Sequence, residues 1–309
     1  MMRETKELRL VYRDFLLEAN REHPELVVLE ADLSSSMATN KLGEILGKRY
    51  INVGIMEAEM VGVAAGLSIL GFKPYLHTFG PFATRRVFDQ LFLSLGYAQL
   101  DATVIGSDAG VTAEMNGGTH MPFEEIGLTR LIPGATIFEV SDDIQLHAVL
   151  RQTLNLTGLK YVRTIRKAPE AIYQGEEDFS KGYIELKSGE DLVIIATGIM
   201  VAPCLRIANE LSKQGLDIGV VDLFRVKPLP EELLTLYRGL PILSVENHNQ
   251  IGGIGSVLCE LFSTDLNTPV FRMGIQERFG QVGKVDYLLK EYGLDEASIK
   301  DKILSILHY

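Results

Sequence analysis

Short runs of apolar, often β-branched residues alternate along this chain with longer stretches whose apolar residues recur at helical spacing. In the first half, the candidate strands are 26–31, 73–77, 102–105 and 136–140, and the candidate helices are 8–19, 57–70 and 86–100. Strands that alternate with helices pair in parallel, because each crossover returns the chain to the same end of the sheet. The pattern therefore predicts a doubly wound α/β fold whose ligands bind beyond the carboxyl ends of the strands.

A second region of the same kind follows a change in composition. Between residues 168 and 190 the chain is rich in Pro, Gly, Ser and acidic residues, which is typical of a linker with turns. Beyond it, the candidate strands are 183–187, 191–197, 217–222 and 241–245, and a candidate helix is 200–214. A chain of 309 residues is about twice as long as a typical domain. We therefore predict two doubly wound α/β domains with mainly parallel sheets, residues 1–180 and 181–309.

The charge balance and the composition argue against several classes of protein. Lys and Arg number 30 against 41 Asp and Glu, and the net charge of −11 would repel nucleic acids and anionic membranes. The longest apolar windows, 60–72 and 192–205, are shorter than the roughly 20 residues that span a bilayer. Two cysteines and no apolar leader at the start favour a reducing cytoplasm. Six isolated histidines predict no metal site made by this chain.

Two carboxylates, Glu57 and Glu59, directly precede an apolar helix that is rich in small residues. Acidic residues at a helix N-terminus are often there because the helix dipole favours them. Alternatively, one carboxylate is partly buried, so that desolvation raises its pKa and it can share a proton with a heterocycle nitrogen. The pattern leaves both interpretations open, and the small residues would let another surface approach closely.

Two aromatic rings and two guanidinium groups lie on the connection that follows the candidate strand at 73–77. Phe79 and Phe82 flank a Gly-Pro turn, and Arg85 and Arg86 follow it. These rings could pack in the core while the arginines lie on a helix surface. Aromatic rings on a loop at the end of a sheet are, however, better placed to stack a flat ring than to fill a core.

A long, polar, Gly-rich connection occupies residues 107–120, and connections of this length are usually functional or mobile. It ends at His120, which either caps the next helix or transfers protons near neutral pH. After the candidate strand at 26–31, the segment 32–36 is either a helix N-cap or an anion site. Cations at Arg163, Arg166 and Lys167 predict either a phosphate or sulfonate site or a surface ion-pair cluster.

Taken in order along the chain, these segments resemble the thiamine-diphosphate-dependent transketolases, specifically their pyrimidine-binding domain followed by their C-terminal domain. The resemblance covers essentially the whole chain. It rests on the segments 31–36, 54–57, 78–82, 117–124, 165–166, 246–253 and 278–280.

The resemblance implies a cofactor and a role for each candidate residue. Glu57 would hydrogen-bond the aminopyrimidine ring of thiamine diphosphate and favour its imino tautomer, so that the exocyclic nitrogen removes the thiazolium C2 proton. The implied catalytic residues are Glu57 and His120. The implied cofactor-binding residues are Asp32, Glu57, Phe79, Phe82 and Arg85. The implied substrate-binding residues are Ser36, Asp108, Asn116, His120 and Arg166, and the implied reaction transfers a two-carbon ketol unit from a ketose to an acceptor.

The chain lacks a part of the site that the family requires. Family members bind the diphosphate through Mg²⁺ with a Gly-Asp-Gly segment and a later Asn-containing segment on a preceding domain, and this chain contains no Gly-Asp-Gly. The resemblance is therefore to the C-terminal half of a split transketolase. It implies a separate N-terminal subunit that carries the diphosphate domain and holds the Mg²⁺, most simply in a heterotetramer.

Three departures from the family bear on the substrate. The segment 114–116 reads Glu-Met-Asn where the family commonly has Gly-Glu-Asp, Asp108 stands where the family has a histidine, and Arg85 replaces a frequent tyrosine. We therefore expect a non-standard sugar, such as apulose 4-phosphate or a sulfonated sugar. The alternatives are the β subunit of a 2-oxoacid dehydrogenase E1 component and a non-catalytic partner subunit. His120 together with Ser36 and Arg166 favours a sugar substrate.

Overall fold

The computed structural model of the protein describes residues 3–307, and its strands form two sheets. The strands are β1 (Leu26–Glu30), β2 (Tyr50–Asn52), β3 (Lys73–Phe79), β4 (Ala102–Ser107), β5 (Thr136–Glu139), β6 (Leu159–Arg163), β7 (Ile184–Lys187), β8 (Leu192–Ala196), β9 (Ile218–Asp222), β10 (Arg225–Lys227), β11 (Ile242–Asn249) and β12 (Val270–Ile275).

Helices connect these strands. The α-helices are α1 (Leu8–Glu22), α2 (Leu42–Leu46), α3 (Glu57–Ile69), α4 (Gly80–Ala83), α5 (Phe88–Gln90), α6 (Glu125–Arg130), α7 (Asp143–Thr153), α8 (Val201–Ser212), α9 (Glu232–Leu236), α10 (Ile254–Leu261), α11 (Val285–Glu291) and α12 (Glu296–Leu307). The 3₁₀ helices are Gly47–Arg49, Arg85–Val87, Gly110–Thr119 and Gly198–Met200, and Leu91–Tyr97 is a π-helix. No helix within residues 3–307 is long and apolar enough to cross a membrane.

Both sheets are mainly parallel, as the alternating pattern predicts. The first has the order β10-β5-β6-β4-β3-β1-β2 and the second the order β12-β11-β8-β9-β7. Antiparallel pairing is confined to the edges, where β10 pairs with β5 and β7 pairs with β9. The two-sheet, mainly parallel α/β architecture is thus confirmed. The second half of the chain also supplies the edge strand β10 to the first sheet, which the sequence pattern did not predict.

Helices cover both faces of each sheet, and this explains why the central strands are continuously buried rather than alternating. On the first sheet, α1 and α7 pack on one face, while α3 and the π-helix pack on the other. On the second sheet, α8 and α12 cover one face and α9 and α10 the other. Val111, Met121 and Phe123, which follow β4, pack into the core of the second sheet. The hydrophobic core therefore continues from one sheet to the other.

Two predicted elements differ from the structure. The single helix predicted at 86–100 is instead a 3₁₀ turn, α5 and the π-helix, whose wider turn brings Gly96 against Ile132 so closely that a Cβ would lie 2.4 Å from Ile132 Cγ2. The connection predicted at 107–120 is mostly 3₁₀ helix, interrupted where Glu114 and Gly117 adopt positive φ angles of 47° and 69°. Hydrogen bonds of the 3₁₀ type form between near neighbours and leave no apolar periodicity to detect.

Candidate functional site

Four neighbouring parallel strands of the first sheet carry candidate residues at or just beyond their carboxyl ends, which all lie on the same side of the sheet. Asp32 follows β1, Phe79 ends β3, Asp108 follows β4, and Arg166 lies three residues beyond β6. Asp32 and Asp108 adopt positive φ angles of 61° and 62°, a left-handed conformation that is uncommon outside glycine. The chain therefore turns sharply as it leaves the sheet, and these residues lie where doubly wound sheets bind ligands.

The two carboxylates at the start of α3 have different environments. Glu57 is the first residue of the helix and only 4% of its side chain is exposed, whereas Glu59 is exposed. Glu57 Oε1 accepts a hydrogen bond of 2.6 Å from Arg86 Nη1, and the guanidinium of Arg86 lies 3.7 Å above the ring of Phe82. Sequence reasoning included Arg86 only as a neighbour of the aromatic residues. In the structure, Arg86 is the residue that hydrogen-bonds Glu57. Its position four residues after Phe82, which lets it stack on that ring, is the signal that was missed.

Three rings form an aromatic cluster beside Glu57, made of Phe79, Phe82 and His120. The centroids of Phe79 and Phe82 are 6.1 Å apart, and His120 lies 6.1 Å from Phe79 and 5.2 Å from Phe82, in edge-to-face arrangements. Phe79 is buried, whereas Phe82 and His120 are half-buried. Half-buried aromatic surface next to a buried carboxylate can receive a flat heterocycle and pair with its nitrogen.

Arg85 braces the segment that carries His120. Its Nη1 donates 2.9 Å to Glu124 Oε1, and its Nη2 donates 3.2 Å to the backbone carbonyls of Gly118 and Thr119. Thr119 Oγ1 in turn lies 2.8 Å from His120 Nδ1. The structure therefore places Arg85 against the His120 segment, and its predicted contact with a cofactor stays a prediction.

A cavity of about 740 Å³ lies between the two sheets and is lined by Asp108, Asn116 and Arg166. Asp108 is 3% exposed, and its Oδ1 accepts a 2.7 Å hydrogen bond from Arg166 Nε. Burial raises the pKa of the Asp108 carboxyl, opposed by the Arg166 guanidinium. Asp108 Oδ2 is buried without a hydrogen-bond partner among residues 3–307. The exposed Asn116 donates to the carbonyl of Ala113 over 2.8 Å.

Arg166 connects this cavity to the aromatic cluster. Its guanidinium carbon lies 5.1 Å from the centroid of Phe79, while its Nε binds Asp108. Within the described chain it donates from Nε alone, so its two terminal nitrogens remain available for an oxyanion. Arg9, which sequence reasoning missed, also lines the cavity, and its backbone nitrogen donates 3.2 Å to the carbonyl of Arg166.

The predicted residues therefore fall into two neighbouring groups and one outlying turn. Glu57 and the aromatic cluster form the first group, and Asp108, Asn116 and Arg166 form the second. Asp32 is exposed and Ser36 is half-buried; both lie in the turn after β1, and neither lines the cavity. No group of three or more His, Cys, Asp or Glu side chains within residues 3–307 could hold a metal ion.

Arg163 is not available to an anionic ligand, so the inclusion of this residue in a phosphate or sulfonate site is wrong. Its side chain is fully buried and forms ion pairs with Glu125 and Glu139, and its Nη2 donates 2.9 Å to the carbonyl of Asn247 on β11. We call these three charged residues, Arg163, Glu125 and Glu139, the junction cluster. Docking of the second sheet buries Arg163, which a local sequence pattern cannot reveal.

Sequence reasoning also missed a hydrogen-bonded cluster below the site. His77 Nδ1 lies 2.8 Å from Glu30 Oε2, and His77 Nε2 lies 3.0 Å from Ser107 Oγ. All three side chains are fully buried. Each of these three adjacent strands carries a polar residue near its carboxyl end. This was the available signal for the cluster, because buried parallel strands otherwise carry apolar residues.

Two family models match the chain. The transketolase, pyrimidine binding domain matches residues 4–170, and the transketolase, C-terminal domain matches residues 181–299. The chain is 40% identical over 295 residues to the 6-deoxy-6-sulfo-D-fructose transketolase subunit SqwH of Clostridium sp. (strain MSTE9), covering 94% of this chain and 92% of that one. It is 29% identical to mouse transketolase-like protein 2, of which it spans only 48%.

Among solved structures, the chain superposes on a split gene transketolase, an inactive beta4 tetramer. The TM-score is 0.89 at 32% sequence identity, and the match covers 98% of this chain and 99% of the other. The matches span nearly the full length of that protein and of the clostridial subunit, but only about half the length of the mouse relative.

Proposed function

Because the chain belongs to the transketolase family, we propose that it is the C-terminal subunit of a two-subunit, thiamine-diphosphate-dependent transketolase. The observation that carries the proposal is a buried carboxylate, Glu57, beside a half-exposed aromatic cluster at the ligand-binding edge of the sheet. The reaction would transfer a two-carbon ketol unit between phosphorylated sugars. The proposed domain division, 1–180 and 181–309, and the cytoplasmic location belong to the same proposal.

The residues at this edge fit the pyrimidine end of thiamine diphosphate. The aromatic cluster offers ring surface to a flat heterocycle, and Glu57 is the buried acid within reach of it. When bound, the cofactor would supply a carbanion-type nucleophile for the ketol transfer. Glu57 would hold a proton at a ring nitrogen, and Arg86 would orient the Glu57 carboxylate through its 2.6 Å hydrogen bond. His120, the third ring of the aromatic cluster, would contact substrate hydroxyls.

We propose that the substrate is a ketose with a strongly acidic group at its far end. Arg166 would bind that group with its terminal nitrogens, and Ser36 and Asn116 would contribute hydrogen bonds. Asp108 would orient the Arg166 guanidinium toward that group through the hydrogen bond to its Oδ1. A negatively charged Asp108 in place of a histidine disfavours an ordinary phosphate position. The relative's name, a sulfofructose transketolase subunit, supports a sulfonated sugar, with apulose 4-phosphate as the second candidate.

A separate N-terminal subunit would bind the diphosphate through Mg²⁺ and pack on α3, most simply in a heterotetramer. The outward face of α3 carries Gly62 and Gly66, and an added Cβ at either residue would meet nothing within 4 Å. Ile55, Ile69 and Leu70 beside them are 73%, 72% and 74% exposed. Large apolar side chains around a stripe of small residues are suited to close packing against another chain.

The test is to purify the chain together with a separate transketolase N-terminal subunit, in thiamine diphosphate and Mg²⁺, and to screen sugar donors. We expect ketol transfer from 6-deoxy-6-sulfofructose or apulose 4-phosphate to an aldehyde acceptor, and only when both chains are present. Preference for xylulose 5-phosphate with ribose 5-phosphate would refute the non-standard substrate. Decarboxylation of pyruvate with transfer to a lipoyl domain would identify an E1 β subunit, and full activity of a Glu57→Ala complex would identify a non-catalytic partner.

A further inference from the structure

The buried cluster of Glu30, His77 and Ser107 joins the carboxyl ends of three adjacent strands. His77 on β3 is the register partner of Glu30 on β1, and Ser107 ends β4 on the other side of β3. Because a carboxylate only accepts hydrogen bonds, His77 Nδ1 donates to Glu30, which leaves Nε2 to accept from the Ser107 hydroxyl when the ring is neutral. Thr39 adds a further hydrogen bond from its hydroxyl to Glu30 Oε1. We call these four residues the strand-end cluster.

Each member of the strand-end cluster directly precedes or encloses part of the proposed site. Glu30 lies two residues before Asp32, His77 two residues before Phe79, and Ser107 one residue before Asp108. Thr39 closes the turn that contains Ser36, because its backbone nitrogen also donates 2.9 Å to the carbonyl of Ser34. The cluster therefore connects the ends of β1, β3 and β4, which carry proposed ligand-binding residues. Only β6, which precedes Arg166, lies outside it.

The backbone beyond the cluster has a conformation that must be held in place. Asp108 follows Ser107 at a φ of 62°, and Asp32 follows Glu30 and Ala31 at a φ of 61°. A non-glycine residue in this region is strained, and the strained conformation persists only where the surrounding structure fixes it. The next backbone nitrogen after Asp108, that of Ala109, is also fixed, by a 3.1 Å hydrogen bond to the carbonyl of Thr164.

We propose that the strand-end cluster positions the substrate-binding side of the site, with Ser107 acting on Asp108 and, through it, on Arg166. This inference rests on the proposed function and deepens it. The side chains of the cluster touch no ligand themselves. They fix the direction in which Asp108 leaves β4, and Asp108 Oδ1 then fixes Arg166 Nε, so that the free guanidinium nitrogens face the acidic end of the sugar.

The proposal differs from a purely structural role in what it predicts for kinetics. If Ser107 only contributed to stability, its loss would reduce the fraction of folded enzyme, which lowers kcat and leaves KM unchanged. If Ser107 positions Asp108 and Arg166, its loss weakens binding of the sugar in the ground state and in the transition state alike. That change raises KM and leaves kcat nearly unaltered, because Glu57 and the aromatic cluster are not displaced.

The test compares Ser107→Ala and Ser107→Cys with wild type in the complex with the N-terminal subunit. Alanine removes the hydroxyl, and cysteine fills its space with a weak hydrogen-bonding group. For both variants we expect the KM of the sugar donor to rise about ten- to a hundredfold while kcat stays within about twofold. Ser244 is the matched control, since it is a fully buried strand serine in the second sheet, and Ser244→Ala should leave the KM unchanged.

An unchanged KM in both Ser107 variants would overturn the positioning role while leaving the proposed function intact. If the wild-type complex transfers no ketol unit from any donor, the proposed function fails instead, and crystal structures of the chain alone then decide the inference. There we expect Ser107→Ala, but not Ser244→Ala, to break the 2.7 Å contact between Asp108 and Arg166. Retention of that contact and of the left-handed Asp108 would overturn the proposal.

Discussion

The protein uses arginine–glutamate pairs in two regions that differ in their contact with water. At the proposed site, Arg86 holds Glu57 while 44% of the arginine side chain remains exposed. In the junction cluster, Arg163 and its two glutamates are almost completely excluded from solvent. The Arg86–Glu57 pair has one side open to a ligand, whereas the charged groups of the junction cluster form their hydrogen bonds within the protein. The same residue types thus serve binding in one region and assembly of the two sheets in the other.

Replacement of Arg163 tests the junction cluster most severely. Arg163→Met leaves Glu125 and Glu139 buried without their cation, and we expect the free energy of unfolding to fall by about 3–5 kcal/mol. Urea denaturation followed by circular dichroism measures this loss. Arg86→Met is the matched control, because it removes a partly exposed cation and leaves one carboxylate without its partner instead of two, so the loss should be clearly smaller. Equal losses in the two variants would show that burial does not distinguish the pairs.

Replacement of Glu57 tests the open pair. Glu57→Gln keeps the size of the side chain and an oxygen for Arg86 but removes the group that shares a proton, so ketol transfer by the two-subunit complex should fall at least about a hundredfold. Initial-rate kinetics with saturating cofactor measure the effect. Glu59→Gln is the control on the same turn of α3, where exposure predicts little change. Comparable losses in both variants would contradict the catalytic assignment.

The Glu246 side chain lies next to the junction cluster, and its pKa lets us predict how the free energy of unfolding depends on pH. Burial raises its pKa to about 8, although its oxygens accept hydrogen bonds from the backbone nitrogens of Ile254 and Gly255 at 2.7 and 3.0 Å. The unfolded-state pKa is about 4.3, so the stabilising contribution of the protonated form is complete below that value and is lost as the pH rises through 8.

We therefore expect the Glu246 contribution to stability to decrease between pH 6 and pH 8.5 by on the order of 2–3 kcal/mol. Denaturant titrations at the two pH values measure the decrease, and Glu246→Gln isolates it from other titrating groups because the amide cannot lose a proton in this range. The variant should show a flatter pH dependence than wild type. An identical dependence in both proteins would exclude Glu246 as a source.

The smallest effect is expected at Arg85, on the exposed rim of the site. Its hydrogen bonds to Glu124 and to two carbonyls support the His120 segment, but they face solvent and are screened by salt. Arg85→Ala should raise the KM of the sugar less than about fivefold, and the effect should shrink further at high salt. Steady-state kinetics at two ionic strengths measure it. A loss as large as that of Glu57→Gln would instead indicate direct contact with the cofactor.

The fold was largely predictable because its signals are local. Apolar runs identified the central strands of both sheets except β6, and the alternation of strands with helices predicted the parallel arrangement and the ligand-binding edge. The strand β10 escaped prediction because it is short and pairs with β5, which lies far away in sequence. The π-helix at Leu91–Tyr97 also escaped, since its apolar residues fit the spacing of an ordinary helix.

The site was predictable in its residue types but not in its contacts. Sequence pattern could not decide which of Glu57 and Glu59 is buried. The two residues face nearly opposite sides of α3, and which side is covered depends on a distant segment, the one that carries Arg86. Arg163 and Arg166 lie three residues apart and look equivalent in sequence. One is enclosed by the second sheet and the other faces the cavity, a difference that only the docking of distant segments creates.

The edge strand β10 limits how this molecule can be divided. A fragment that ends at the proposed boundary, residue 180, would retain β5 without its antiparallel neighbour and would present an unpaired row of backbone groups, which is a template for aggregation. A unit that contains every strand of the first sheet must therefore extend to residue 227, the end of β10. Domain exchange between relatives should place its crossover beyond that strand, even though the change in composition suggests an earlier position.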